Sequence, residues 1–297
     1  MNPIGAVNVW ILCNEDAGRG LSGEDLQKLV EQAGHTVVGV AKRYDERTPL
    51  PAATIDLIVA AGGDGTVATA AAIVSKSSAA LGILPLGTAN NIATSLGVTR
   101  PIPELIASWA SARRVPFDLG RAHAGSREWC VVEGVGGGLM PAGIARAQAE
   151  LRQNDDVSPA AEVATALRTF RDALAELQPR RWTLTLDGDR IAEDLLLVEV
   201  LNIRSIGPNL VFGPDATPSD GWLDVVMAQE RHRQDLSTYL ERRAEGCETR
   251  LALPTRRVRE GTLAGCADLH IDDERVHTCT VGELTIRVEP AAVTVLI

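Results

Sequence analysis

Two stretches constrain the fold of this sequence more than any other: Ile55–Thr66, IDLIVAAGGDGT, and Leu81–Ala93, LGILPLGTANNIA. Each is an apolar run of strand length that enters a glycine turn and then a helical pattern. The first turn is Gly62-Gly63-Asp64-Gly65-Thr66, followed by VATAAAIVSKSS; the second is Pro85-Leu86-Gly87-Thr88-Ala89-Asn90, followed by a helix through Ile92 and Leu96. A glycine turn that closes a strand and opens a helix leaves backbone N–H groups unpaired at a positive helix end, a good seat for phosphate. Two such turns on neighbouring parallel strands border a cleft at the carboxyl ends of the strands, where nucleotides bind in such sheets. The pair predicts an ATP site.

The chain has 297 residues, enough for one large domain or two ordinary ones. A formal net charge of -10 and an aromatic content of 3% argue against a nucleic-acid partner. The five cysteines, Cys13, Cys130, Cys247, Cys266 and Cys279, are scattered without a CxxC pair, which predicts reduced thiols in a cytoplasmic protein. No apolar run has the length of a membrane span, and Val7–Leu12 is too short, with no basic residue before it, to be a signal peptide. The expectation is a soluble protein, with brief docking at the inner membrane face left open.

Strands are expected at Val7–Cys13 and Thr36–Ala41, around a helix capped by Ser22 and stopped by Gly34. With the two opening units they make an α/β domain over residues 1–117, a Rossmann-like three-layer parallel sheet with right-handed crossovers. The rhythm then changes. Phe117–Ala122 and Glu128–Val135 read as strands joined at Gly125-Ser126, and GVGGG at Gly134–Gly138 as a sharp bend. Pro159–Leu177 reads as a helix with Val163, Leu167, Phe170, Leu174 and Leu177 on one core-facing stripe. A hairpin is expected around Asp187-Gly188-Asp189, and short strands at Leu223–Ala228, Ala267–Ile271, Leu284–Val288 and Val293–Ile297. Residues 118–288 are therefore expected to form an antiparallel β-sandwich domain with helices. Residues 289–297 are expected to form a last strand that packs back on the first domain.

GGDGT is neither a Walker A loop, since no Gly-Lys-Ser/Thr follows, nor the GxGxxG fingerprint. A glycine turn alone is ordinary loop chemistry; the second turn, one βα unit later, makes it specific. Together GGDGT and PLGTANN resemble the diacylglycerol kinase catalytic-domain family, lipid kinases distantly related to NAD kinases. The resemblance runs on through Asn14…Gly18 of the first loop, Asp118 in FDLG, PDATPSDGWLDVV at Pro214–Val226, and LHIDDERV at Leu269–Val276.

The resemblance implies roles. Asn14, Gly18, Gly62, Gly63, Gly65, Thr66, Thr88 and Asn90 would line the ATP phosphates and ribose. Asp64 would act catalytically by holding Mg2+, directly or through water, as a nucleotide-borne magnesium needs. Glu274 would be the general base on the acceptor hydroxyl, with Asp272 beside it. If the segment is extended, residues two apart share a face and the two carboxylates converge. The Thr217 carbonyl, the Asp220 carboxylate and the Trp222 carbonyl would bind a structural Mg2+, and Asp118 is a further expected metal residue. A proline-rich turn needing no metal is the competing reading of that loop, as a solvated acidic turn is for an isolated DDE.

The sequence also departs from the family pattern. Asn91 replaces an Asp near the metal, Asp273 a glycine, Glu15 a proline, and Glu133 an Asn whose cleft it would share. The five histidines carry no zinc spacing. The basic clusters Arg231/Arg233, Arg242/Arg243 and Arg256/Arg257/Arg259 read as solvated faces, with a minority role in steering to anionic lipid. The resemblance thus implies an ATP-dependent, Mg2+-assisted kinase of a diacylglycerol-like lipid that contacts a membrane surface transiently; a homodimer and a monomer both stay open. Two alternatives stand beside it: a kinase of a small soluble alcohol, and a nucleotide-binding protein that has lost catalysis.

Overall fold

The structure, a computed structural model, describes residues 5–14, 21–42, 50, 54–151, 158–265, 268–277 and 282–297. They divide into two compact units, Met1–Phe117 with Ala291–Ile297, and Asp118–Pro290. In the first unit β1 (Asn8–Cys13), α1 (Gly23–Gln32), β2 (Thr36–Ala41), β3 (Leu57–Gly62), α2 (Asp64–Val74), β4 (Ala80–Pro85), α3 (Asn91–Ser95) and α4 (Ile102–Ser108) follow in turn. Strands β2, β1, β3 and β4 lie side by side in that order, all parallel. Val295, near the chain end, pairs in parallel with Leu81 of β4. All six residues of β3 are buried, the pattern of a strand covered on both faces. Ser22 caps α1 as expected: its Oγ accepts the Asp25 amide, and the Asp25 carboxylate reaches back to the Ser22 amide.

The chain then runs through β5 (Arg114–Ala124), β6 (Arg127–Val131), β7 (Gly134–Gly138), α5 (Leu139–Leu151), α6 (Pro159–Glu176), β8 (Arg180–Leu186), β9 (Asp189–Leu195), β10 (Leu197–Leu201), β11 (Ser205–Ile206) and β12 (Leu210–Val211). It closes with β13 (Leu223–Ala228), α7 (Arg233–Ala244), β14 (Thr255–Val258), β15 (Glu260–Ala264), β16 (Asp268–Ile271), β17 (Glu274–His277) and β18 (Leu284–Leu296). In the second unit β14-β13-β10-β7-β16-β17 form one antiparallel sheet. Facing it, β9, β8, β15 and the first part of β18 pair antiparallel as well. Between them lie Trp182, Leu184 and Leu186 from β8, Val198 and Val200 from β10, and Leu269 and Ile271 from β16.

Strand β10 is buried on both faces. Val198 and Val200 point into the sandwich, while Leu197 and Leu201 join Phe170 and Leu174 of α6 and Leu240 of α7 in a second core. The stripe read from the sequence is this packing, and α6 begins where Ser158 accepts the Ala161 amide. The hairpin turn is also as expected: Asp187 and Gly188 both have positive φ, and Leu186 pairs with Asp189.

Three expectations are corrected. GVGGG is not a bend but strand β7, and only Gly138 has positive φ. Its glycines are needed for close approach: a Cβ on Gly137 would lie 2.4 Å from the Trp182 ring, and one on Gly136 2.2 Å from the Val198 carbonyl oxygen. The two C-terminal strands expected at 284–288 and 293–297 are one strand, β18. The DDE segment is a hairpin turn and not an extended run, as described below. No helix among the described residues is long and apolar enough to cross a membrane.

Candidate active site

In the first unit the two glycine turns touch. Gly62 ends β3, Gly63 is the N-cap of α2, and Asp64, Gly65 and Thr66 form the first turn of that helix. A Cβ on Gly87 would lie 2.4 Å from the Gly63 Cα, so side chains at both positions would force the loops apart. The second turn is held by Asn90, left-handed at φ 50, whose Oδ1 accepts the Gly87 amide at 3.0 Å and whose Nδ2 donates to the Gly87 carbonyl at 2.6 Å. Asp64 joins the turns: Oδ2 accepts the Asn91 amide and Oδ1 the Ile92 amide, each at 2.9 Å. The carboxylate expected to hold metal is thus also the cap of α3, anchoring the second turn to the first. Asn14 is exposed just beyond β1, its amide bonded to the Ala61 carbonyl, and Thr88 is half-buried in the second turn. Gly18 and Glu15 lie outside the described residues.

In the second unit Asp272 and Asp273 form the two-residue turn between β16 and β17, with Ile271 paired to Glu274. The positive φ falls on Asp272, at 46, and not on Asp273, the residue that stands in the family's glycine position. Two-residue periodicity therefore fails here, and the carboxylates of Asp272 and Glu274 have separate partners. Asp272 accepts the amides of Val132 (3.0 Å), Glu133 (2.8 Å) and Gly134 (3.1 Å), and donates its own amide to the Gly134 carbonyl. Burial pushes its pKa up to about 6, against the pull of the three amides. Glu274 is half-exposed and accepts Arg127 Nη2 at 2.6 Å and the Trp129 indole N–H at 3.1 Å, while Arg127 lies 4.5 Å from the Trp129 ring centroid. Arg127 and Trp129 carried no signal in the sequence, because they lie on β6, 147 and 145 residues away from Glu274. Glu133, a further acidic residue of this region, is buried.

The loop expected to bind a structural Mg2+ is satisfied by the chain's own groups. Asp118 is buried and accepts the Gly221 amide at 2.7 Å, and the Thr217 carbonyl accepts the Ser219 amide. Asp220 accepts the Trp222 amide with one oxygen and Arg257 with the other, and Arg257 and Arg259 both lie over the Trp222 ring. Asp220, the exposed carboxylate among the expected ligands, carries a guanidinium, which does not fit a bound cation there, although Asp215 of the same loop is exposed as well. Among the described residues no group of three or more His, Cys, Asp or Glu is arranged to hold a metal ion. Arg256 pairs with Asp189, so two members of this basic cluster serve structural ion pairs. The described cysteines, Cys13, Cys130 and Cys247, form no disulfide with one another.

Residues 8–122 match the family model described as the diacylglycerol kinase catalytic domain, and residues 141–297 match the YegS C-terminal NAD kinase beta sandwich-like domain. The diacylglycerol kinase of Mycobacterium tuberculosis is 30% identical over 247 residues, 77% of this chain and 75% of that one. A crystal structure of a diacylglycerol kinase from Bacillus anthracis superposes with a TM-score of 0.72 at 19% identity, covering 97% of this chain and 96% of that one. Yeast NADH kinase in complex with NADH gives a TM-score of 0.53 at 12% identity, over 98% and 82% of the two chains, a likeness of fold alone. The class these matches define is a kinase. The chain belongs to the family of diacylglycerol kinases and YegS-like lipid kinases.

Two outcomes follow from this geometry. Gly87→Ala should lower stability by about 1–3 kcal/mol through the clash with Gly63, read by chemical denaturation; an unchanged midpoint would show that the turns do not touch. The backbone amide shifts of Val132, Glu133 and Gly134 should titrate together with a midpoint near 6, Asp272 being the ionised acceptor above it. They should stop doing so in Asp272→Asn, and a shared midpoint at the ordinary aspartate value would contradict the burial.

Proposed function

We propose that this chain transfers the γ-phosphate of MgATP to a hydroxyl of a diacylglycerol-like lipid. The observation that carries the reading is the pair of touching glycine turns locked by Asp64, on a chain whose M. tuberculosis relative is named a diacylglycerol kinase. The turns present the N-terminal amides of α2 to the phosphates, the first two amides of α3 being taken by Asp64, with Asn14, Thr66, Thr88 and Asn90 supplying further polar contacts to phosphate and ribose. Asp64 is the residue that would hold the nucleotide's magnesium, which would supply charge neutralisation at the transferring phosphoryl group. Both Asp64 oxygens already accept an amide, which favours a water-mediated contact with that metal over direct ligation.

Glu274 is the base. Arg127 and Trp129 both donate to its carboxylate and fix where it stands, and a carboxylate in that place can take a proton. It removes the proton of the lipid hydroxyl as the oxygen attacks the γ-phosphorus in line, and ADP leaves. A lipid acceptor requires the enzyme to work at a membrane surface, by transient contact. The engagement of Asp64 by two amides and of Glu274 by Arg127 also favours a second reading, a nucleotide-binding protein without transfer.

One assay separates the two. With radiolabelled ATP and dispersed diacylglycerol, wild-type protein should form labelled lipid, and Glu274→Gln should lower kcat by at least about 100-fold with ATP affinity kept. Asp64→Asn should lower both turnover and ATP affinity. Full lipid phosphorylation by both variants would refute the assignment, and ATP binding without labelled product from wild type would support the second reading.

A further inference from the structure

A buried polar pair lies behind the Asp272–Glu274 turn. Glu199 of β10 and His270 of β16 are not neighbours in the sheet; β7 runs between them, and both are in register with Gly136. Their side chains meet over that glycine, Glu199 Oε2 at 2.7 Å from His270 Nε2, with both side chains fully buried. A Cβ on Gly136 would lie 2.3 Å from the Glu199 carboxyl carbon, so the glycine of β7 gives the pair its room. They occupy the face opposite Val198, Val200, Leu269 and Ile271, the face on which α5 packs against β7 and β16.

The other imidazole nitrogen, Nδ1, lies 3.0 Å from the Asp272 carbonyl oxygen. A carbonyl only accepts, so Nδ1 carries the hydrogen. Nε2 then shares one proton with Glu199, and the pair is neutral as a whole. Glu199 Oε1 has no hydrogen-bond partner among the described residues, which favours a protonated carboxyl donating to Nε2 over a buried carboxylate. Burial raises the pKa of Glu199, and the Glu199 carboxylate raises that of His270 against burial; both directions keep the shared proton in place.

We propose that Glu199 and His270 are positioning residues: the buried carboxyl fixes the imidazole tautomer, and the imidazole N–H holds the Asp272 carbonyl and so aims Glu274. This rests on Glu274 being the base. The turn is then fixed from two sides, its carbonyl by His270 and its carboxylate by the amides of residues 132–134. No charge is needed for this role, only a donor at Nε2 and a hydrogen on Nδ1.

The test uses full-length protein with 15N-labelled histidine, wild type and the variants Glu199→Gln, Glu199→Leu, His270→Asn and His270→Gln. Wild type should show His270 protonated on Nδ1, and Glu199→Gln, which keeps a donor to Nε2, should keep that tautomer and wild-type turnover. Glu199→Leu should lose the fixed tautomer and about 100-fold in kcat, the scale of a misplaced catalytic group, with KM for ATP unchanged. Should Glu199→Leu fail to fold, the histidine variants decide, since Asn can place an N–H near the Nδ1 position and Gln near Nε2. Turnover kept in His270→Asn and lost in His270→Gln supports the role. A bare Nδ1 in wild type, or equal turnover in those two variants, overturns it. Glu274→Gln with full turnover would instead remove the base assignment, leaving the His270 tautomer as found.

Discussion

The first unit depends on one carboxylate. Asp64 stands at the N-terminus of α2 and accepts the first two amides of α3, so a single side chain joins two helix starts that belong to successive βα units. The contact works only because Gly63 and Gly87 let the two backbones approach, and because Asn90 accepts a left-handed φ. Amides that are not taken by Asp64 or by the helices remain at the positive ends of α2 and α3. That is the physical content of the paired motif: the glycines give proximity, and the aspartate gives rigidity.

The second unit solves a different problem, that of presenting a carboxylate on a two-residue turn. A short turn has little stiffness of its own, and here the sheet supplies it. The amides after β6 grip the Asp272 side chain, β7 accepts the Asp272 amide, and the imidazole from β16 reaches the Asp272 carbonyl. The glycine-rich strand β7 makes this possible by leaving space for Trp182 on one face and the Glu199–His270 pair on the other. Glu274 itself stays at the surface, oriented by Arg127 and Trp129.

Much of this was legible in the sequence wherever the signal was local. The strand–turn–helix units, the Ser22 cap, the limits of α6 and the Asp187-Gly188 turn each rest on residues within a few positions of one another. What was not legible involves distant partners. Arg127 and Glu274 are 147 residues apart, Asp64 and Asn91 are 27 apart, and Glu199 and His270 are 71 apart. GVGGG was misread because glycine signals both a bend and a close contact, and only the partner strand distinguishes the two. The DDE turn was misread because a two-residue hairpin reverses the chain at the point where alternation was assumed to continue. Helices α5 and α7 were missed: Pro141 and Gly143 interrupt the first, and the second is mostly polar, with only Leu236, Tyr239 and Leu240 buried.

The central claim is that the two locked turns hold a triphosphate. Amide hydrogen exchange with and without MgATP tests it most directly, because it reads the backbone groups themselves. Added MgATP should slow exchange at residues 63–66 and 87–92, and AMP should do so far less. Protection confined to other segments, with those two turns unchanged at saturating nucleotide, would contradict it.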